Sequence, residues 1–204
     1  MSYSQIGQDV FVDALFENRK GFFLDFGCGG WRDKPNGNNT LYLEERDWDG
    51  LSVDMNPTLI KEFTEKRKTK AVCQDLTKID IKEFLETNQC PKLVDYFSFD
   101  VDAATDHVLN HFPFDEFKFK FITFEHNLYD PNHKGLKERA LEIFENKGYK
   151  LLVENVEWLN VFVQKWAVED WFIHSDYSDL PKLGKNILHT ECVKLLEPYI
   201  NKIT

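Results

Sequence analysis

Gly21-Phe22-Phe23-Leu24-Asp25-Phe26-Gly27-Cys28-Gly29-Gly30 is the stretch of sequence on which the fold turns. Its first half is nearly continuous in apolar residues, as befits a strand covered on both faces. It runs directly into glycines. At Gly27 and Gly29 the missing Cβ lets the backbone turn tightly and approach a ligand closely. The dinucleotide fingerprint G-x-G-x-x-G is not met, because Arg32 stands where the third glycine would fall, and no Walker lysine follows.

Working outward, short β-rich runs alternate with amphipathic stretches. A helix is expected from Ile6 to Phe16, before the first strand. After the glycines, Asn38, Asn39 and Thr40 can cap a helix over Leu41 to Arg46. Strand two is Gly50 to Asp54, and Pro57 opens a helix reaching about Arg67. Strand three is Ala71 to Cys73, with a short helix from Ile79 to Glu86. Strand four is Leu93 to Asp100 and is followed by a helix from Ala104 to His111. Strand five is Phe119 to Phe124, and a helix over Leu136 to Asn146 stops at Gly148. Two strands then follow, Tyr149 to Val156 and Leu159 to Gln164, with a connection too short for a parallel crossover.

This pattern predicts an α/β fold: a mostly parallel central sheet with helices on both faces and an antiparallel hairpin at the end. Dinucleotide dehydrogenases continue with a parallel sixth strand. Five parallel strands closed by an antiparallel hairpin are instead the Rossmann-like arrangement of class I methyltransferases, strand order 3-2-1-4-5-7-6. The chain of 204 residues reads as one domain. Its parts would be an N-terminal helix in 1–18, a sheet core in 19–165 and a lid or helical tail in 166–204.

Lys and Arg number 25 against 35 Asp and Glu, so the formal charge of −10 repels polyanions and argues against a nucleic-acid partner. No apolar run has the roughly 20 residues a membrane span needs. The opening Met1-Ser2-Tyr3-Ser4-Gln5 lacks a secretory signal pattern, and the expectation is a cytoplasmic protein with no membrane insertion. The four cysteines form no CxxC pair or zinc spacing. Cys28 has no neighbour in sequence that would make it a nucleophile, and reads as a buried thiol.

In an open parallel sheet the ligand lies beyond the carboxyl ends of the strands. Those ends present mostly acid: Asp25, Asp54, Asp75, Asp100 with Asp102, and Glu125 beside His126. A carboxylate at Asp54 can accept from both hydroxyls of a ribose, and one at Asp75 from the amino group of an adenine. Asp at a strand end is also a common turn former and helix cap. Several such tips in register with a glycine loop point instead to a ligand, and one carrying positive charge suits them better than a phosphate ester.

A series of segments resembles the FkbM family of methyltransferases. It comprises Ser4-Gln5-Ile6-Gly7-Gln8-Asp9 with Phe11, Gly21 to Gly27, Asn39-Thr40 with Leu43-Glu44, Trp48-Asp49-Gly50-Leu51, and Asp54 with Asn56-Pro57. It continues with Val94 to Asp102 and Ile122-Thr123-Phe124-Glu125-His126. The resemblance implies S-adenosylmethionine as cofactor and a hydroxyl on a sugar or other small molecule as methyl acceptor. It places cofactor contacts at Asp25, Gly27, Gly29, Asp54 and Asp75, with Phe26, Cys28, Met55, Leu76 and Asp100 beside them. Asp25 would anchor the loop and face the cationic methionine end. After strand four the family commonly shows Asp-x-Glu-Gly-x-Glu. Here Asp102, Ala103 and Thr105 replace its first Glu, its Gly and its second Glu. That departure keeps open a second reading, a binding module that retains the cofactor pocket without turnover. A third, an NAD-linked oxidoreductase, is disfavoured by the broken fingerprint.

The expected catalytic group is Asp100, Asp102, Glu125 and His126. His126 would be the general base, with Glu125 or Asp102 orienting it or serving in its place. Alternatively Glu125 and His126 merely cap their loop, or Asp100, Asp102 and Glu125 bind Mg²⁺ as hard oxygen ligands. His107 and His111 fail the zincin pattern, since Val108 follows the first histidine. Glu169 to Tyr177 reads as a tail packed on the sheet, or as a wall in which Trp171 and His174 meet the acceptor. A terminal helix, Glu191 to Ile200, offers a surface for homo-oligomers.

Overall fold

The computed structural model describes residues 2–16, 19–29, 37–159 and 165–177. The elements in chain order are α1 (Gln8–Leu15), β1 (Phe22–Phe26), α2 (Leu41–Glu44), β2 (Asp49–Asp54), α3 (Pro57–Lys66), β3 (Lys70–Cys73), α4 (Ile81–Thr87), β4 (Leu93–Phe99), α5 (Thr105–His111), β5 (Lys118–Glu125), α6 (Leu136–Asn146), β6 (Tyr149–Leu159) and β7 (Lys165–His174). They build a seven-stranded sheet of order β3-β2-β1-β4-β5-β7-β6. The first five strands pair in parallel, while β7 runs antiparallel to both β5 and β6.

Strand alternation divides the apolar residues between two cores. On one face Phe23, Tyr96, Phe121 and Trp171 pack with Phe11, Val12 and Leu15 of α1 and with Leu43 of α2. On the other, Leu24, Phe26, Phe97, Phe99, Phe119 and Phe124 pack with residues of α4, α5 and α6, including Leu85, Val108 and Phe144. Ring pairs such as Phe97 on Phe119, 4.6 Å between centroids, account for the heavy use of phenylalanine. Side-chain caps fix where two of the helices begin. The Asn56 side chain accepts from Thr58 N–H and Leu59 N–H ahead of Pro57, and Asp80 accepts from Glu83 N–H.

The C-terminal hairpin is built from later residues than expected. The strand assigned to Leu159 to Gln164 is instead the end of β6 at Leu159, with residues 160–164 outside those described, and the return strand is β7 from Lys165. The sheet core therefore extends past residue 165, to His174. Trp171, expected in a tail or an acceptor wall, is 1% exposed and packs against Phe11 at 4.6 Å in the core. His174 is likewise buried, edge-on to Tyr149. The expected helix Glu191 to Ile200 lies outside the described residues. No helix among the described residues is long and apolar enough to cross a membrane.

Candidate active site

The carboxyl ends of β1 to β5 open on one cleft of about 460 Å³. Its floor is the turn after β1. Gly27 N–H and Cys28 N–H both donate to Val53 O, at 2.9 and 3.2 Å, and Asp100 N–H donates to Phe26 O at 3.1 Å, so this turn is stitched to the ends of β2 and β4. Gly27 has φ +78, and a Cβ there would lie 1.5 Å from the Asp100 carbonyl oxygen. Only glycine permits that approach.

Asp54 at the end of β2 accepts from Gly29 N–H at 3.0 Å and from Asn56 N–H at 2.8 Å. Asp75, beyond β3, caps a short turn by accepting from the Thr77 amide at 2.9 Å and its hydroxyl at 2.7 Å. These bonds hold its carboxyl below the usual range. Both bonds end on Oδ1, and the residue still lines the cleft beside Leu76. Asp75 is thus a cap and a wall at once. Met55 is exposed, and with Leu59 and Leu76 it gives this end of the cleft its apolar surface.

At the other end the ligand-capable oxygens of Asp100, Asp102 and Glu125 all lie within 4.8 Å of one another. Asp102 is brought there by a left-handed backbone, φ 48. Burial, and then the adjacent Asp100 carboxyl, push the Glu125 carboxyl far above the usual range. Burial likewise raises Asp100, against the hydrogen bond it shares with Glu125. Burial and mutual repulsion thus favour a proton shared between the two carboxyls. Any divalent cation taken by this trio must displace that proton.

Of the residues singled out in sequence, Gly27, Gly29, Asp54, Met55, Asp75, Leu76, Asp100, Asp102 and Glu125 are gathered in this cleft. Four are not. Phe26 is fully buried in the core, and the Cys28 side chain packs with Ile60 and Phe63, where burial pushes its thiol up well above the usual value. Asp25 is buried and accepts from Thr40 Oγ1 at 2.8 Å. Burial raises its carboxyl to about 6. It holds the loop but does not face the cleft. Thr40 in turn accepts from buried Arg67, which also bonds Glu44 at 2.9 Å and Asn38 at 3.1 Å, and Asn38 donates to Cys28 O.

His126, the expected general base, is 0% exposed and forms no part of the cleft wall. Its Nε2 lies 3.4 Å from Asp170 of β7, because β5 alternates and turns successive side chains in opposite directions: Glu125 faces the cleft, and His126 does not. His126 is therefore not among the groups that meet in the cleft.

Other polar groups complete the site; of these only Glu169 fell in a stretch, Glu169 to Tyr177, that the sequence offered as a tail or an acceptor wall. A second cavity of about 240 Å³ adjoins the first, sharing Gln5, Asp100 and Glu125 with it and adding Gln8, Asn39, Asn127, Tyr129 and Glu169. The N-terminal segment reaches it because Asp9 gathers Ser2, Tyr3 and Ser4 by hydrogen bonds and Tyr3 O accepts from Gly37 N–H and Asn38 N–H. Gln5 and Gln8 fall within the first FkbM-like segment, which was the only signal for them. Glu169 and Asn127 follow from the true position of β7, since Asn127 N–H donates to Val168 O.

The sheet order, the glycine turn and the cleft at the strand ends define the Rossmann-like fold of class I methyltransferases. Solved structures of low sequence identity share it. A candidate rRNA methylase from Clostridium thermocellum matches with TM-score 0.53 and 12% identity, over 83% of this chain and 97% of that one. TYW2 of M. jannaschii, solved in complex with AdoMet, matches with TM-score 0.52 and 17% identity, over 85% and 78%. A candidate O-methyltransferase from Klebsiella pneumoniae matches with TM-score 0.53 and 10% identity, over 82% and 80%. No protein-family model matches the chain, and no curated protein matches it either.

Proposed function

We propose that the protein is an S-adenosylmethionine-dependent methyltransferase that methylates a hydroxyl of a small polar or carbohydrate acceptor. The observation that carries this reading is the convergence of Gly27, Asp54, Asp75 and the Asp100–Asp102–Glu125 trio on one cleft with no cationic side chain among its described lining residues. Such a lining favours a sulfonium and disfavours the phosphates of NAD or ATP. The neighbouring structures and the FkbM-like segments support the same class, and the latter favour a hydroxyl acceptor. The net charge of −10 argues against a nucleic-acid acceptor.

When bound, S-adenosylmethionine supplies an electrophilic methyl group. The chain's own residues do the rest. Asp54 would offer its carboxylate to the ribose hydroxyls and Asp75 to the adenine amino group, while Met55, Leu59 and Leu76 would cover the base. In-line displacement demands alignment, which the packed strand ends provide. With His126 buried outside the cleft lining, the hydroxyl proton would pass to the carboxylate trio at the ends of β4 and β5. Titration of the protein with S-adenosylhomocysteine in a calorimeter tests the reading: heat saturating at one equivalent is expected, and no heat up to millimolar ligand would remove it. The metal-assisted version of the reaction rests on the clustering within 4.8 Å. Turnover lost to chelator and restored by Mg²⁺ would select it.

A further inference from the structure

The smaller cavity carries formal charge of one sign. Asp100, Glu125 and Glu169 line it, and no Lys, Arg or His does so among the described residues. Acidic groups by themselves are often merely solvated. Asn127 is a different matter: it is 5% exposed, it lines the cavity, and its Oδ1 is buried with no hydrogen-bond donor. Glu125 Oε2 is also buried without a hydrogen-bond partner. Buried polar groups are nearly always paired, and an amide oxygen can only accept, so Asn127 calls for a ligand that donates.

The geometry is fixed in advance. Asn127 sits at φ 45 with its N–H donated to Val168 O, so its side chain leaves a backbone that cannot relax cheaply. Glu169 is pinned by Gln8 Nε2 on Oε1 and Trp171 Nε1 on Oε2, both at 2.7 Å. The ring of Tyr129, stacked on Trp166 at 4.6 Å, borders the same cavity and can face a cation.

We propose that the acceptor bound here carries a protonated amino group, seated among Asn127, Glu169 and the Asp100–Glu125 pair. This rests on the methyltransferase reading above. An ammonium presents three donors and no lone pair, and so satisfies several acceptors at once with charge-assisted bonds. A neutral hydroxyl has one donor and turns lone pairs toward carboxylates. A phosphorylated acceptor is repelled outright. The ammonium of the cofactor's own methionine end has the same chemistry, and the test must separate the two.

Protein saturated with S-adenosylhomocysteine is titrated at pH 7 with glucosamine, glucose, N-acetylglucosamine and glucose 6-phosphate. Glucosamine is expected to bind about tenfold or more tightly than the other three. Equal or better binding of a neutral or phosphorylated sugar, or none of glucosamine, overturns the proposal. Glu169→Gln and Asn127→Gly should each weaken glucosamine about fivefold or more while leaving S-adenosylhomocysteine affinity in place, which also shows that the variants fold. Glucosamine binding seen with 5′-methylthioadenosine but abolished with S-adenosylhomocysteine would assign the seat to the cofactor's own ammonium and overturn the proposal. Failure of S-adenosylhomocysteine itself to bind would instead defeat the methyltransferase reading.

Discussion

Asp54 Oδ2 accepts the backbone N–H of Gly29 at 3.0 Å, so the carboxylate that ends β2 also holds the turn that follows β1. One side chain both shapes the floor of the cleft and lines it.

Asp54→Ala is expected to weaken S-adenosylhomocysteine binding by about 10- to 100-fold, the equivalent of losing one or two hydrogen bonds to a charged group. Calorimetry reads the change. Affinity within threefold of the parent would show that Asp54 does not hold the ribose.

Gly27 and Gly29 should respond very differently to alanine. At Gly27 the new Cβ would overlap the Asp100 carbonyl oxygen, at 1.5 Å, and backbone has to move. Gly27→Ala is expected to abolish cofactor binding and to lower the melting temperature steeply. At Gly29 nothing among the described residues lies within 4 Å, and the φ of +59 is what resists there. Gly29→Ala should cost about 1–2 kcal/mol of stability and keep measurable binding. Thermal melts with and without ligand distinguish them.

Acidification from neutral pH should stabilise the ligand-free protein. Burial raises Glu169 to about 7 and Asp25 to about 6, so the folded state keeps protons that the unfolded chain releases. Stability from these groups is therefore greatest below the ordinary carboxylate range and falls as pH climbs through those values. Glu44 acts in the opposite sense. Burial would raise it, but hydrogen bonds from Thr69 and the Arg67 charge outweigh that and leave it lowered, so its contribution fades only as pH falls below the usual range. Denaturant unfolding at pH 5 and pH 7.5 should show the protein more stable at the lower value by roughly 1–3 kcal/mol. Glu169→Gln should flatten the upper part of that slope, and an unchanged slope would contradict the assignment.

His126→Ala is expected to act on stability alone. Removing a fully buried ring leaves a cavity and costs about 2–4 kcal/mol. The folded fraction should bind S-adenosylhomocysteine as the parent does. A turnover defect far beyond the loss of folded protein would return His126 to the chemistry.

Most of this architecture was legible because each strand carries its own signature. Phe22 to Phe26 and Phe119 to Phe124 are apolar enough to be buried on both faces, and Pro57 and Gly148 punctuate the helices. The hairpin was misplaced for a physical reason. Glu169 and Asp170 look like loop residues, yet both are buried in β7, Glu169 bonded to Gln8 and Trp171 and Asp170 accepting from Asn155 N–H. Gln8 lies 161 residues from Glu169 and Asn155 lies 15 from Asp170, and spacing cannot reveal such pairings. The strand tips were readable as a set, but the direction of each side chain was not: Asp25 and His126 belong to residue types suited to a site and point elsewhere. The second cavity was hidden because its walls come from the N-terminal segment, the end of β5 and β7, which meet only in three dimensions.

The position of β7 between β5 and β6 sets an order of events during synthesis. A nascent chain ending at Leu159 contains β6 but lacks β7, the strand with which β6 pairs in the sheet. The outer edge of β5 stays unpaired until Lys165 to His174 emerge. Docking of that late strand brings Val168 and Glu169 into place. The earlier strand ends can therefore take shape on the ribosome before the smaller chamber beside them exists.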